Sequence, residues 1–155
     1  MLVKLGSRAA SEDVVDLLLA CHERIRSFIA MARRIAAAGG DAREAAGQVR
    51  RYFAEAFPLH VADEEELLAL PQRIHDDHVT HAPAIEKLVA LCAAIEQGGS
   101  VPAELAPLAE RLERELAEHL AIEERDVFPA IRQLPESERA RIRDAIRARR
   151  AAAMH

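Results

Sequence analysis

Two five-residue stretches, His60-Val61-Ala62-Asp63-Glu64 and His119-Leu120-Ala121-Ile122-Glu123, carry an imidazole and a carboxylate four positions apart. On a helix that spacing sets both groups on one face, one turn apart. Each pair interrupts an apolar stripe: Val49, Phe53, His60, Glu64 and Leu67 form one, and Leu105, Leu108, Leu112, Leu116, His119 and Glu123 the other. A third stripe reads Leu18, His22, Ile25 and Ile29, and a fourth Ile74, His78, His81, Ile85, Leu88, Cys92 and Ile95. Inward imidazoles and carboxylates cost on the order of several kcal/mol each unless compensating charge and directed bonds are supplied. Bound cations supply both.

Four helical segments must position these groups. The first is predicted from Ser11 or Asp13 to the Gly39-Gly40 stop. The second opens at Asp41, with Glu44 at capping-box spacing, and runs to about Pro71. Pro58 predicts a kink between Phe57 and His60, since proline lacks an amide donor and crowds the preceding turn. The third runs from Gln72 to Gln97, with an irregularity expected at Pro83, and stops at Gly98-Gly99. Ser100 then caps the fourth, Pro102 lies in its first turn, and it continues to about Pro129 or Leu134. A turn at Pro135-Glu136-Ser137 precedes a short basic helix over residues 138–152, and the first ten residues read as a loose arm. Counted at about 1.5 Å per residue from the shared ends of an up-down bundle, the histidines of all four segments fall in one layer to within about one turn.

The 155 residues are 50% hydrophobic but only 3% aromatic, with six glycines and seven prolines, so an aliphatic core between helices is expected. The predicted fold is all-α, an up-down-up-down four-helix bundle with a short additional C-terminal helix, in a single domain over residues 1–155 whose core bundle spans about 12–134. A net charge of −5 gives no reason to expect nucleic-acid binding. Arg139, Arg141, Arg143, Arg147, Arg149 and Arg150 form a local exception, opposed in that segment by Asp144, and read as a solvated helix face or a contact for an anionic protein partner. Two cysteines make no disulfide framework, and no early stretch has the length of a signal or membrane helix, so a cytoplasmic protein without membrane contact is expected. Cys21 and Cys92 read as small core residues.

Five imidazoles and two carboxylates in one layer suffice for two metal ions, giving His22, His60, Glu64, His78, His81, His119 and Glu123 as ligands. His81 is the least regular member, three residues from His78 and two before Pro83. Nitrogen and oxygen donors without thiolate favour iron, with manganese or zinc as substitutes. Two irons can share a two-electron change, which permits reversible dioxygen binding or reaction with peroxide or nitric oxide. His75, beside Asp76 and Asp77, and the terminal His155 read as surface residues. Asp63, Glu65, Glu66, Glu124 and Asp126 read as solvated carboxylates or as partners for the outer nitrogens of ligating histidines. Tyr52 reads as packing or pocket-lining.

These residues together resemble the hemerythrin-like, or HHE cation-binding, domain. The resemblance rests on His22, His60-x3-Glu64, His78 with His81, and His119-x3-Glu123 followed by Glu124-Arg125-Asp126-Val127-Phe128-Pro129, over about residues 12–134. It implies a non-heme di-iron centre with an oxo or hydroxo bridge, Glu64 and Glu123 being the bridging carboxylates. It further implies oxygen, redox or iron sensing, or oxygen storage. In oxygen carriers of this family the two third-helix histidines are four apart and the last bridge is commonly Asp; here they are three apart and Glu123 stands in the last position.

The alternatives are an enzyme processing peroxide or nitric oxide at the same centre, or a metal-responsive interaction module, as monomer or small homo-oligomer. A ferritin-like store fits less well, because it draws carboxylates from all four helices. No His-Glu-x2-His zinc-protease motif occurs.

Overall fold

Alanine, leucine, arginine and glutamate fill the stretches between the glycine and proline stops, and each stretch folds as helix. The computed structural model describes residues 12–38 and 40–154; the expected N-terminal arm, a helix start at Ser11 and His155 lie outside them. The elements are α1 Val14–Ala37, α2 Arg43–Arg51, a π-helical turn Tyr52–Ala56, α3 Phe57–Leu67, α4 Gln72–Glu96, α5 Leu105–Ile122, a second π turn Glu123–Val127, α6 Phe128–Arg132 and α7 Glu136–Ala153. The segments α2 to α3 and α5 to α6 are each continuous, so four rods result. α1 packs against α2 and α5, and α4 packs against the same two, which closes the up-down-up-down bundle. α7 is the additional C-terminal helix and lies across α1 and α3.

Several local expectations are corrected. The irregularity in the second rod is not between Phe57 and His60 but upstream, in the π turn whose wide hydrogen bond runs from Phe57 N–H to the Tyr52 carbonyl. A proline ring crowds the carbonyl four residues back; for Pro58 that residue is Ala54, inside the widened turn. The same device recurs before Phe128-Pro129, where Phe128 N–H reaches the Glu123 carbonyl. α4, by contrast, runs unbroken through Pro83, because the carbonyl left without a donor belongs to Val79 on the exposed face. α5 starts at Leu105 without a cap from Ser100: Leu105 N–H closes a tight turn on the Pro102 carbonyl at 3.1 Å.

The other helix starts and stops follow from local chemistry. Asp41 accepts from Arg43 N–H at 3.1 Å but forms no box with Glu44, and α2 begins after Ala42. At the end of α4, Gly98 takes φ 97° while Gly98 and Gly99 donate to the Ile95 and Ala94 carbonyls, both at 2.9 Å. This is the paired-bond helix stop that only glycine adopts without strain.

Buried side chains form two apolar clusters rather than one. The larger runs from Ile25 through Phe53, Leu88 and Leu112 to Leu120. The smaller unites Val14, Val15 and Leu18 with Val127, Phe128 and Ile131, and with Ile142 and Ile146 of α7. Along α1 His22 separates Leu18 of one cluster from Ile25 of the other, and along the fourth rod Glu123 separates Leu120 from Val127. The predicted histidine layer is thus the partition between two cores.

α7 seals the smaller core, and its arginines find acids within the chain. Arg149 Nε and Arg150 Nη2 each stand 2.7 Å from an oxygen of Asp63, whose side chain is 1% exposed. Arg139 pairs with Asp13 at 3.0 Å and Arg147 with Glu12 at 3.5 Å. Removing the buried Ile146 methyl groups opens a cavity against this core. Ile146→Ala is therefore expected to lower unfolding free energy by about 2–4 kcal/mol in urea titrations, against less than about 0.5 kcal/mol for Val79→Ala on the exposed face.

Candidate metal centre

Six of the seven predicted ligands converge. His22 comes from the middle of α1, His60 and Glu64 from α3, His78 from α4, His119 from the end of α5, and Glu123 opens the second π turn. Their ligand atoms form two groups, each lying within 4.8 Å: His22, His60, Glu64 and Glu123, and Glu64, His78, His119 and Glu123. The two glutamates are common to both.

Each carboxylate turns one oxygen to each side. Oε2 of Glu64 lies 3.4 Å from His60 Nε2 and Oε2 of Glu123 lies 3.7 Å from His22 Nε2. Oε1 of Glu64 lies 3.2 Å from His78 Nε2, and Oε1 of Glu123 lies 2.5 Å from His119 Nε2. The rings pair accordingly, His22 with His60 at 5.5 Å between centroids and His78 with His119 at 5.0 Å.

The opposite nitrogens of three of the four rings are tied down by carboxylates, His60 lying against Cys21 instead. His22 Nδ1 faces Glu124 at 3.0 Å, His78 Nδ1 faces Glu65 at 2.6 Å, and His119 Nδ1 faces Asp77 at 3.0 Å. An Nδ1–H donated outward leaves Nε2 bare and aimed into the layer, and it raises ring basicity. Glu124 also pairs with Arg26, and Asp77 accepts from Arg73 at 3.0 Å, so both acids are held from behind.

Electrostatics inside the layer are strongly coupled. Burial disfavours the charged forms of both His60 and Glu64, yet each outweighs that for the other: the ring is held well above the usual imidazole range and the carboxyl below the usual carboxylate range. Burial also lowers His22 and His119, against the pull of Glu124 and Asp77 respectively.

His81 stands outside both ligand groups. Its ring is edge-on to His119, with centroids 5.6 Å apart, and it lines a cavity rather than the layer. His75 pairs with Glu65 at the surface, and Asp126 pairs with Arg125 there too. Tyr52 is buried, stacked on Phe28 at 4.3 Å.

Besides Asp63, which is buried against Arg149 and Arg150 rather than solvated or set against a histidine, two residues in this environment escaped the sequence reading. Asp77 was grouped with the polar side of the third helix, but Ile74, Asp77, His81, Ala84 and Leu88 form the buried stripe of α4; their three-and-four spacing was the available signal. Cys21 is buried as expected, yet it adjoins His60 and two guanidinium groups, with Arg24 Nη2 at 3.3 Å and Arg150 Nη2 at 3.9 Å from its sulfur. No sequence signal marks a neighbour from α7.

The hemerythrin HHE cation-binding domain model matches residues 69–153, just over half of the chain. The matched region contains His78, His119 and Glu123, whereas His22, His60 and Glu64 precede it. No curated protein and no solved structure matches the chain.

The two thiols should titrate far apart. Burial pushes Cys21 up, but His60, Arg24 and Arg150 outweigh it and bring the thiol down to about 7, while burial next to Glu96 pushes Cys92 up to about 11. A lowered pKa means thiolate accumulates above the midpoint. Ultraviolet thiolate absorbance of the metal-free protein should therefore rise near neutrality, and that step should vanish in Cys21→Ser but survive in Cys92→Ser.

Proposed function

Because the chain belongs to the hemerythrin HHE cation-binding family, we propose that its buried layer holds two iron ions and binds dioxygen or a related small oxidant. What carries this reading is a set of stranded atoms: Nε2 of His22 and of His60, Oε2 of Glu64 and both oxygens of Glu123 are buried without a hydrogen-bond partner among the described residues. Such atoms are costly in a core, and cations satisfy all of them at once. His22 and His60 would hold one ion and His78 and His119 the other, with Glu64 and Glu123 shared. His81 faces away from both.

Nitrogen and oxygen donors without a thiolate suit iron, with manganese or zinc as substitutes. A pair of irons supplies a two-electron reservoir to a small oxidant. The protein's own residues do the rest. Glu124, Glu65 and Asp77 keep the protons of His22, His78 and His119 on their outer nitrogens, the two apolar clusters exclude water, and the cavity beside His78 and His119 gives a route from solvent.

Oxygen, redox or iron sensing, or storage, is the role we infer. Two unpaired, buried cysteines support a reducing, cytoplasmic setting, and no helix among the described residues is long and apolar enough to cross a membrane. The shared polar layer and the sealing helix α7 support one domain. The arginines of α7 have intramolecular partners, so the reading needs no second protein there.

Anaerobic loading with ferrous iron, followed by metal analysis, should give two irons per chain in the wild type. His22→Ala should retain about one and Glu123→Ala almost none, because only the glutamate serves both groups. Admitting oxygen should change the near-ultraviolet and visible absorption. A wild-type protein that takes up no metal would overturn the reading. Glu124→Ala, which removes the outer partner of His22 and no ligand atom, should weaken iron affinity about 10–100-fold in a chelator competition.

A further inference from the structure

A cavity of about 520 Å³ opens between the second rod and α4, and its floor is the His78–His119 side of the layer. Phe53, Phe57 and Val61 form one wall and Ile85 and Val89 the other. Ala54, Pro58 and Ala82, all exposed, surround the mouth together with Glu86. This space is far larger than a diatomic molecule needs, since an apolar cavity of about 150 Å³ already holds benzene. Its walls offer water little to bond to.

His81 is the polar group that the metal layer does not use. It is 7% exposed, borders the cavity, and has no hydrogen-bond partner among the described residues. Its ring nitrogens are not among the buried atoms cut off from solvent, so they open on the cavity, where a ligand's hydroxyl or carbonyl group would take the place of water. A charged ligand is disfavoured, because the apolar walls would strip its water and Glu86 at the mouth repels anions.

We propose that this cavity is a binding site for a neutral, mainly apolar organic molecule of at least two fused rings, whose single hydroxyl or carbonyl group bonds to His81. An occupant there covers the approach to His78 and His119. The site therefore sets which small molecules reach that side of the layer. This inference goes beyond the metal reading and stands without it, since the cavity and its unpartnered imidazole belong to the chain itself.

The probe is 2-naphthol, titrated by its own fluorescence into the full chain, metal-free and iron-loaded, with metal content measured on the same samples. The expected result is one-to-one binding with a Kd on the order of 0.1 mM in both forms. Ala54→Phe and Ala82→Phe, which fill the mouth from opposite walls, should each weaken it at least about tenfold while helix content and metal uptake stay unchanged. In His81→Phe the preference for 2-naphthol over naphthalene should shrink about three- to tenfold, the worth of one hydrogen bond. Absence of binding in the wild type, equal binding in both filled variants, or equal affinity for naphthalene-2-sulfonate would overturn the proposal. Chains that pair through this face and exclude the probe would overturn it too. Naphthol binding without metal uptake would count against the di-iron reading alone, and metal uptake without naphthol binding against this one alone.

Discussion

The structure is organised around two glutamates whose oxygens are buried and turned toward four imidazole nitrogens. Water cannot satisfy Glu64 and Glu123, both 0% exposed, and two oxygens of one carboxylate aimed at rings from different helices fix the spacing of those helices. A leucine layer would tolerate sliding by a fraction of a turn, because apolar contact has no direction. This layer does not. Its directed contacts set the register of all four rods, and the apolar side chains fill what remains on either side.

The division of the core follows from that constraint. A polar layer across the middle leaves two apolar bodies, and the smaller one, drawn mainly from the ends of α1 and the fourth rod, is short of covering surface. α7 supplies it with Ile142 and Ile146. The Asp63 contacts of Arg149 and Arg150 tie this cover to the residue next to Glu64. The same helix thus completes the hydrophobic enclosure and braces the second-rod ligands, so the centre and the smaller core are one cooperative unit. Burial of a charged pair is weak evidence of net stabilisation in general; here its consequence is positional.

The bundle was legible because its signals are local and periodic. Stripes of aliphatic residues at helical spacing, glycine pairs and prolines gave the four rods, and the repeated His-x3-Glu gave two converging faces. What escaped depends on residues distant in the chain or on backbone hydrogen bonding. Asp77 is a buried partner because His119, 42 positions away, turns its Nδ1 toward it. Asp63 is buried because α7 folds back over it. The π turns before Phe57 and Phe128 answer a proline's crowding by widening the helix, and periodicity alone cannot say whether a proline kinks a helix, widens it or, as at Pro83, leaves it straight. His81 fell on the predicted stripe, yet at three residues from His78 its ring is carried round toward the cavity.

The two halves of the layer are unequal, and the inequality has a direction. His22, 0% exposed, packs against Phe128 at 4.9 Å between centroids, and His60 lies against Cys21 under the sealing arginines of α7. On the other side His78 and His119 form the floor of a cavity that reaches the surface between α3 and α4. Among the described residues the His78–His119 side thus faces the cavity, while the His22–His60 side lies behind the shared glutamates. Glu64 and Glu123 would hold both ions in common, and they are the same carboxylates that fix the bundle's register. Glu64 is also the residue next to Asp63, where the chain's last helix is anchored.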